Sequence, residues 1–134
     1  MHFAPYIYFY GRCEEALDFY KAVFGGSYEA MRFAGTPMAA QTAPGFQDKI
    51  MHATFTAPGI SFMASDGQPG KTIDPEAGNI VLSVATSDVA EGTRIFNALA
   101  EGGNVSMPLE KQFWGATFGQ LVDRFGNEWM LNIG

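Results

Sequence analysis

One cysteine and two histidines are all the thiol and imidazole groups in this 134-residue chain. A lone Cys13 cannot close an internal disulfide and fits a reducing compartment, so a cytoplasmic location is expected. With His2 in the N-terminal arm, His52 is the one histidine inside a structural element, and one imidazole cannot build a three-ligand metal cage. Positive charge is also scarce: eight Lys and Arg face 14 Asp and Glu, for a net charge of −6. That field repels phosphate backbones and anionic membranes, and no Lys/Arg cluster offsets it, so nucleic acid is excluded as a partner. No apolar run approaches the roughly 20 residues of a membrane span, and no basic-then-apolar segment opens the chain. No Gly-x-Gly-x-x-Gly follows a strand either, which leaves out a dinucleotide or S-adenosylmethionine fingerprint.

What the chain does have is apolar bulk. Hydrophobic residues make up 47% and charged residues 16%, the balance of one globular domain with a real core. Twelve Phe and seven Met suggest soft, aromatic walls, either as packing or as the lining of a ligand pocket.

The pattern along the chain repeats. Residues 6–10 (Tyr-Ile-Tyr-Phe-Tyr) read as a strand, and residues 13–24 place Ala16, Leu17, Tyr20 and Phe24 at helical spacing before the stop at Gly25-Gly26. A short strand at 28–33, a long loop at 34–48, and a hairpin from 51–56 and 60–64 around Pro58-Gly59 complete the first half. The pattern then restarts: strand 79–84, a helix over 90–100 capped by Ser87-Asp88 and stopped at Gly102-Gly103, a short strand at 104–107, a loop at 108–115, and strands at 116–122 and 128–133. Phe19 and Gly25-Gly26 match Phe96 and Gly102-Gly103; Ala53-Thr-Phe55 matches Ala116-Thr-Phe118; Met63 matches Met130. The chain is therefore expected to be one α+β domain, 1–134, made of two tandem βαβββ modules at 3–66 and 79–134. They would form a curved mixed sheet around a cleft, with the helices on the outer face.

These residues resemble the vicinal oxygen chelate superfamily of glyoxalases, bleomycin-resistance proteins and extradiol dioxygenases, and within it the PhnB-like branch. The resemblance runs through Pro5-Tyr6-Ile7, Glu14-Glu15-Ala16, Phe19-Tyr20, Phe24-Gly25-Gly26, Met63-Ala64-Ser65-Asp66, Phe113-Trp114-Gly115 and Asp123-Arg124-Phe125-Gly126 to Trp129-Met130-Leu131-Asn132. It covers nearly the whole chain. It implies a homodimer, and it implies that metal-dependent relatives carry His or Gln early in the first strand of each half and Glu in the last. Aligned on the helices and turns, those positions hold Pro5, Asn79, Met63 and Met130 here. Proline brings no donor atom, and thioether suits soft copper(I) rather than the harder ions that want imidazole and carboxylate. No metal and no cofactor are therefore expected.

The expected function is binding of a small, partly apolar molecule by Met63, Met130 and Trp114, with His52, Asn79 and Asn132 as polar handles. A catalytic residue is not identified; His52 is the best candidate, as a base or as a hydrogen-bond donor. The alternative is a lyase, isomerase or dioxygenase with a nonstandard metal site or with His52 as base. A third reading, a purely structural interaction module, would fill the cleft with its own side chains. Asp66 reads as a turn residue, Glu128 as a solvated acid near the cleft, and Cys13, beside Glu14 and Glu15, as a poor nucleophile.

Overall fold

Helical and strand periods alternate in the chain, and the computed structural model, which describes residues 1–74 and 79–134, gathers them into two compact units, Met1–Ile73 and Asp74–Gly134. The first unit contains β1 (Tyr6–Tyr8), α1 (Cys13–Phe24), β2 (Ser27–Arg32), β3 (Ile50–Ala57) and β4 (Ile60–Ser65). The second contains β5 (Val81–Thr86), α2 (Val89–Ala100), β6 (Asn104–Lys111), β7 (Thr117–Val122) and β8 (Glu128–Ile133). Each unit forms a four-stranded mixed sheet, in the orders β1-β4-β3-β2 and β5-β8-β7-β6. In both, the first strand runs parallel to the last and the remaining pairs are antiparallel. This is the expected α+β class and the expected βαβββ topology.

Periodicity explains the helices. Ala16, Leu17, Tyr20 and Val23 form the buried stripe of α1, and Glu14 and Glu15 lie in its first turn, near the positive end of the helix dipole. In α2 the stripe is Gly92, Ile95, Phe96 and Leu99, and Asp88 caps the helix by accepting from the Glu91 N–H at 3.0 Å. The cores follow: Phe9, Leu17, Tyr20, Phe55 and Phe62 are buried in the first unit, and Leu99, Leu121, Phe125, Trp129 and Leu131 in the second. Each such side chain contributes roughly 1.5–3 kcal/mol on burial.

One close approach recurs in both units. A Cβ on Gly26 would sit 2.1 Å from the Thr56 carbonyl oxygen, and one on Gly103 would sit 2.2 Å from the Val122 carbonyl oxygen. Thr56 and Val122 are therefore equivalent, as are Thr54 and Gln120, which pair with Met63 and Met130. The sequence match of Ala53-Thr-Phe55 to Ala116-Thr-Phe118 is thus out of step by three residues. An odd shift exchanges the faces of a strand. Phe55 is buried beside Phe62 at 4.9 Å, whereas Phe118 lies across from Asn132 on the opposite kind of face.

Several boundaries differ from the sequence expectation. β5 starts at Val81, leaving Asn79 outside the strand and exposed. β6 continues through Pro108 to Lys111, because a sheet-edge strand need not donate from every residue; its ladder to β7 is irregular on both sides of Met107. β1 ends at Tyr8, since Tyr10 and Gly11 turn at positive φ. Three short 3-10 turns, Phe33–Gly35, Pro37–Gln41 and Pro44–Phe46, replace the structureless loop. The Gln47 amide holds them together by donating to the Ala39 and Thr42 carbonyls at 2.8 and 2.9 Å.

Candidate functional site

In the first unit, strand pairing decides which side chains meet. Met63 pairs with Tyr6 of β1 and with Thr54 of β3, so these three share a face. Phe62, its neighbour, turns the other way and meets Tyr20 of α1 edge-on at 5.7 Å. Met63 therefore lies on the face averted from the helix, as its strand phase predicts. His52 reaches this face too. Its Nδ1 is 2.9 Å from the Tyr6 hydroxyl, and the two rings are 5.6 Å apart. The bond gives His52 a hydroxyl partner. When Tyr6 donates, the ring proton sits on Nε2, and His52 presents a donor and not a base. Burial raises the Tyr6 hydroxyl above its ordinary pKa, with Tyr8 adding to the shift, and this favours the protonated, donating form.

Asp66 has a different task. Its buried carboxylate accepts from the backbone N–H groups of Gly11, Cys13 and Ile50, each at 2.8 Å. Arg12, at the helix N-cap position, offers no capping side chain, so Asp66 caps α1 from 53 residues away and ties it to β3. Cys13 sits directly beneath. Burial pushes its thiol up to about 12, and the nearby carboxylates of Asp66 and Glu14 add to the shift. Native protein should therefore resist iodoacetamide at about pH 8 and become alkylated only in denaturant, as read by intact mass. The folded pKa lies above the unfolded one. This stabilising contribution is thus complete below an unfolded thiol pKa of about 8.5 and is lost as pH rises towards about 12.

In the second unit, β8 alternates as expected. Trp129, Leu131 and Ile133 are buried, and Ile133 packs against α2, where a Cβ on Gly92 would lie 2.7 Å from it. Glu128, Met130 and Asn132 take the other face, beside Val81, Ser83 and Ala85 of β5 and Val122, Gln120 and Phe118 of β7. Trp114 is half-exposed and sets its ring edge-on to Phe118 at 5.9 Å and to Phe113 at 4.9 Å. Phe118 thereby brings Trp114 to the side that carries Asn132. The Asn132 side-chain oxygen is shielded from solvent and accepts no hydrogen bond from any described residue. A buried acceptor left without a donor costs about 1–3 kcal/mol, so this oxygen is the unused acceptor on the face among the described residues.

Of the sequence candidates, His52 and Met63 share the helix-averted face of the first unit, and Met130, Asn132 and Trp114 gather on that of the second. Asn79 joins neither face. Tyr6 and Tyr8, whose alternation with Ile7 and Phe9 implies a shared face, join the first face, and Phe118 and Gln120 join the second; none of the four is among the sequence candidates. The donor set does not fit the metal that the sequence resemblance implies for metal-dependent members. The Pro5 carbonyl is engaged by the Met63 N–H at 2.9 Å, and Met63, Met130 and exposed Asn79 supply neither imidazole nor carboxylate. Among the described residues no three His, Cys, Asp or Glu side chains gather as a metal site would require.

Two βαβββ units with these sheet orders define an α+β protein with the fold seen in the glyoxalase/bleomycin resistance/dioxygenase superfamily. A member of that superfamily from Sphaerobacter thermophilus shares the fold at a TM-score of 0.54 and 18% identity, over 100% of this chain and 98% of its own. More narrowly, the chain belongs to the PhnB-like family whose model, described as 3-demethylubiquinone-9 3-methyltransferase, matches residues 1–132. It is 31% identical to Protein YjdN of Escherichia coli over 99% of this chain and 95% of that one. The solved structure of PA1353 from Pseudomonas aeruginosa is similar at a TM-score of 0.84 and 41% identity, covering 99% and 97% of the two chains. The PhnB protein of Bacillus cereus follows at 0.79 and 28%, with both chains fully covered.

Proposed function

We propose that the chain binds a small, partly apolar molecule on its helix-averted sheet faces without the help of a metal. The observation that carries this reading is the solvent-shielded, unpartnered Asn132 oxygen on the face that also holds Met130, Phe118 and Trp114. Aromatic and thioether surface provides affinity, and an amide awaiting a donor provides orientation. On the first unit, His52 with Tyr6 behind it adds a second polar handle. Methyl transfer, the activity in the family's description, finds no nucleotide fingerprint in these residues. The same reading treats the two units as one 134-residue functional domain, supported by the span of the family model. It also makes the protein a cytoplasmic homodimer: the thiol is a single one, and the edge strand β6 keeps Val105 and Met107 40% and 42% exposed. Among the described residues no helix is long and apolar enough to cross a membrane.

Thermal-shift measurement against a panel of small aromatic and aliphatic compounds tests this reading. A compound present at 100 times its Kd should stabilise the protein by about 2.7 kcal/mol, a rise of several degrees in Tm. Trp114→Ala should remove most of that rise, and His52→Ala should weaken a responding compound about three- to tenfold without any product forming. If no compound raises Tm, the binding reading fails. If wild-type protein converts a compound and His52→Ala does not, the chain is an enzyme with His52 as its base. The Tyr6 bond at Nδ1, with no carboxylate among the described residues hydrogen-bonded to the ring, argues against that outcome.

A further inference from the structure

A groove of about 460 Å³ opens within the first unit, lined by Tyr6, Tyr8, Tyr10, Phe33, Met51 and Lys71 among others. Its wall is a ladder of tyrosines. The Tyr6 and Tyr8 rings are 5.4 Å apart with a 41° tilt, and Tyr8 and Tyr10 are 5.8 Å apart and within 13° of parallel. Tyr6 and Tyr8 are 42% and 52% exposed, so the ladder leaves contiguous aromatic surface open to solvent.

Three features of the backbone build the ladder. Tyr10 stands at φ 46, in the left-handed region that bulky residues seldom enter. Gly67 makes room for it, since a Cβ there would lie 2.9 Å from the Tyr10 ring. The ladder between β2 and β3 skips Met51, passing from Met31–His52 to Arg32–Ile50; the bulge sends Ile50 into the core and Met51 into the groove. Lys71 adds an ammonium, and it makes no salt bridge with a described residue.

We propose that this groove takes a planar aromatic molecule carrying an anionic group, its ring lying on the tyrosine ladder and its anion facing Lys71. The proposal rests on the small-molecule reading above and adds to it a site of its own in the first unit, for one ligand class. Near-parallel ring faces beside a polarisable thioether match a flat π-system better than an aliphatic chain. On a chain of net charge −6, attraction of an anion has to be local, and Lys71 is the cation in the groove.

The test is an amide chemical-shift titration with 2-naphthoate, against 2-naphthylmethanol (planar, neutral) and cyclohexanecarboxylate (anionic, not aromatic). 2-Naphthoate should shift Tyr8, Tyr10 and Gly67 and bind about threefold more tightly than the alcohol, a margin that Lys71→Gln abolishes. Tyr8→Ala, and Tyr8→Leu, which keeps bulk without a π face, should each weaken both naphthyl compounds about fivefold. The proposal is overturned if the shifts bypass these residues, if Lys71→Gln leaves the margin intact, or if cyclohexanecarboxylate binds as well as 2-naphthoate. It is also overturned if dilution alone reproduces the shifts, which would mean that a second copy of the chain covers the groove. Those results with thermal-shift responses retained sink the groove assignment alone; loss of every response sinks the broader reading.

Discussion

Replacing Asp66 by alanine should lower the unfolding free energy by about 4 kcal/mol or more, enough to take a marginal domain close to its midpoint at room temperature. The size follows from what the carboxylate does. It accepts from three backbone donors, at Gly11, Cys13 and Ile50, of which the Cys13 and Ile50 bonds are fully buried. Hydrogen bonds to an ionised acceptor are stronger than neutral ones, and each buried donor left unpaired costs a further 1–3 kcal/mol or so. Asp66→Asn keeps one acceptor oxygen and should cost about half as much. Urea unfolding followed by circular dichroism measures both. A loss under about 1 kcal/mol for Asp66→Ala would refute the remote cap. Asp123 plays a parallel part in the second unit, where it accepts from the Phe125 and Asn127 N–H groups and from the Trp129 indole at 2.8 Å.

Gly26→Ala should be the other severe change, costing at least about 3 kcal/mol and lowering the yield of folded protein. Two penalties coincide at this glycine. Its φ of 80 disfavours any side chain, and a Cβ would lie 2.1 Å from a backbone oxygen that cannot move without breaking the β3 ladder. Gly25 separates the two. It also has positive φ, at 75, but nothing lies within 4 Å of its Cβ position, so Gly25→Ala should cost only about 1 kcal/mol. Gly103→Ala isolates the opposite term, a 2.2 Å clash without positive φ, and should fall between them. Equal losses for Gly25→Ala and Gly26→Ala would show that the close approach to β3 is not what requires the glycine.

The element order and the faces of β4 and β8 were legible in the sequence because period-two patterning sets them locally. Met63 and Met130 point away from the helices as their strand phase required. What the sequence did not reveal depends on contacts distant along the chain. Asp66 looks like a turn residue because its donors at Gly11 and Cys13 lie more than 50 residues earlier. The spacing in Asp123-Arg124-Phe125-Gly126-x-x-Trp129 is conspicuous in sequence, but its cause, a carboxylate holding an indole, emerges only when the turn is folded. Phe118 matches Phe55 by residue type but is not its structural equivalent, because the turn before β8 is longer than the one before β4 and the match is out of step by three positions. Asn79 was expected within a strand that starts two residues later.

Metal content is the most direct check on the central claim, that thioether and amide groups on the helix-averted faces serve a ligand rather than a cation. Protein purified without chelator and analysed by inductively coupled plasma mass spectrometry should carry well under about a tenth of an equivalent of zinc, nickel, iron or manganese. Close to one equivalent of any of these per chain, lost on mutation of His52 or Glu128, would contradict it.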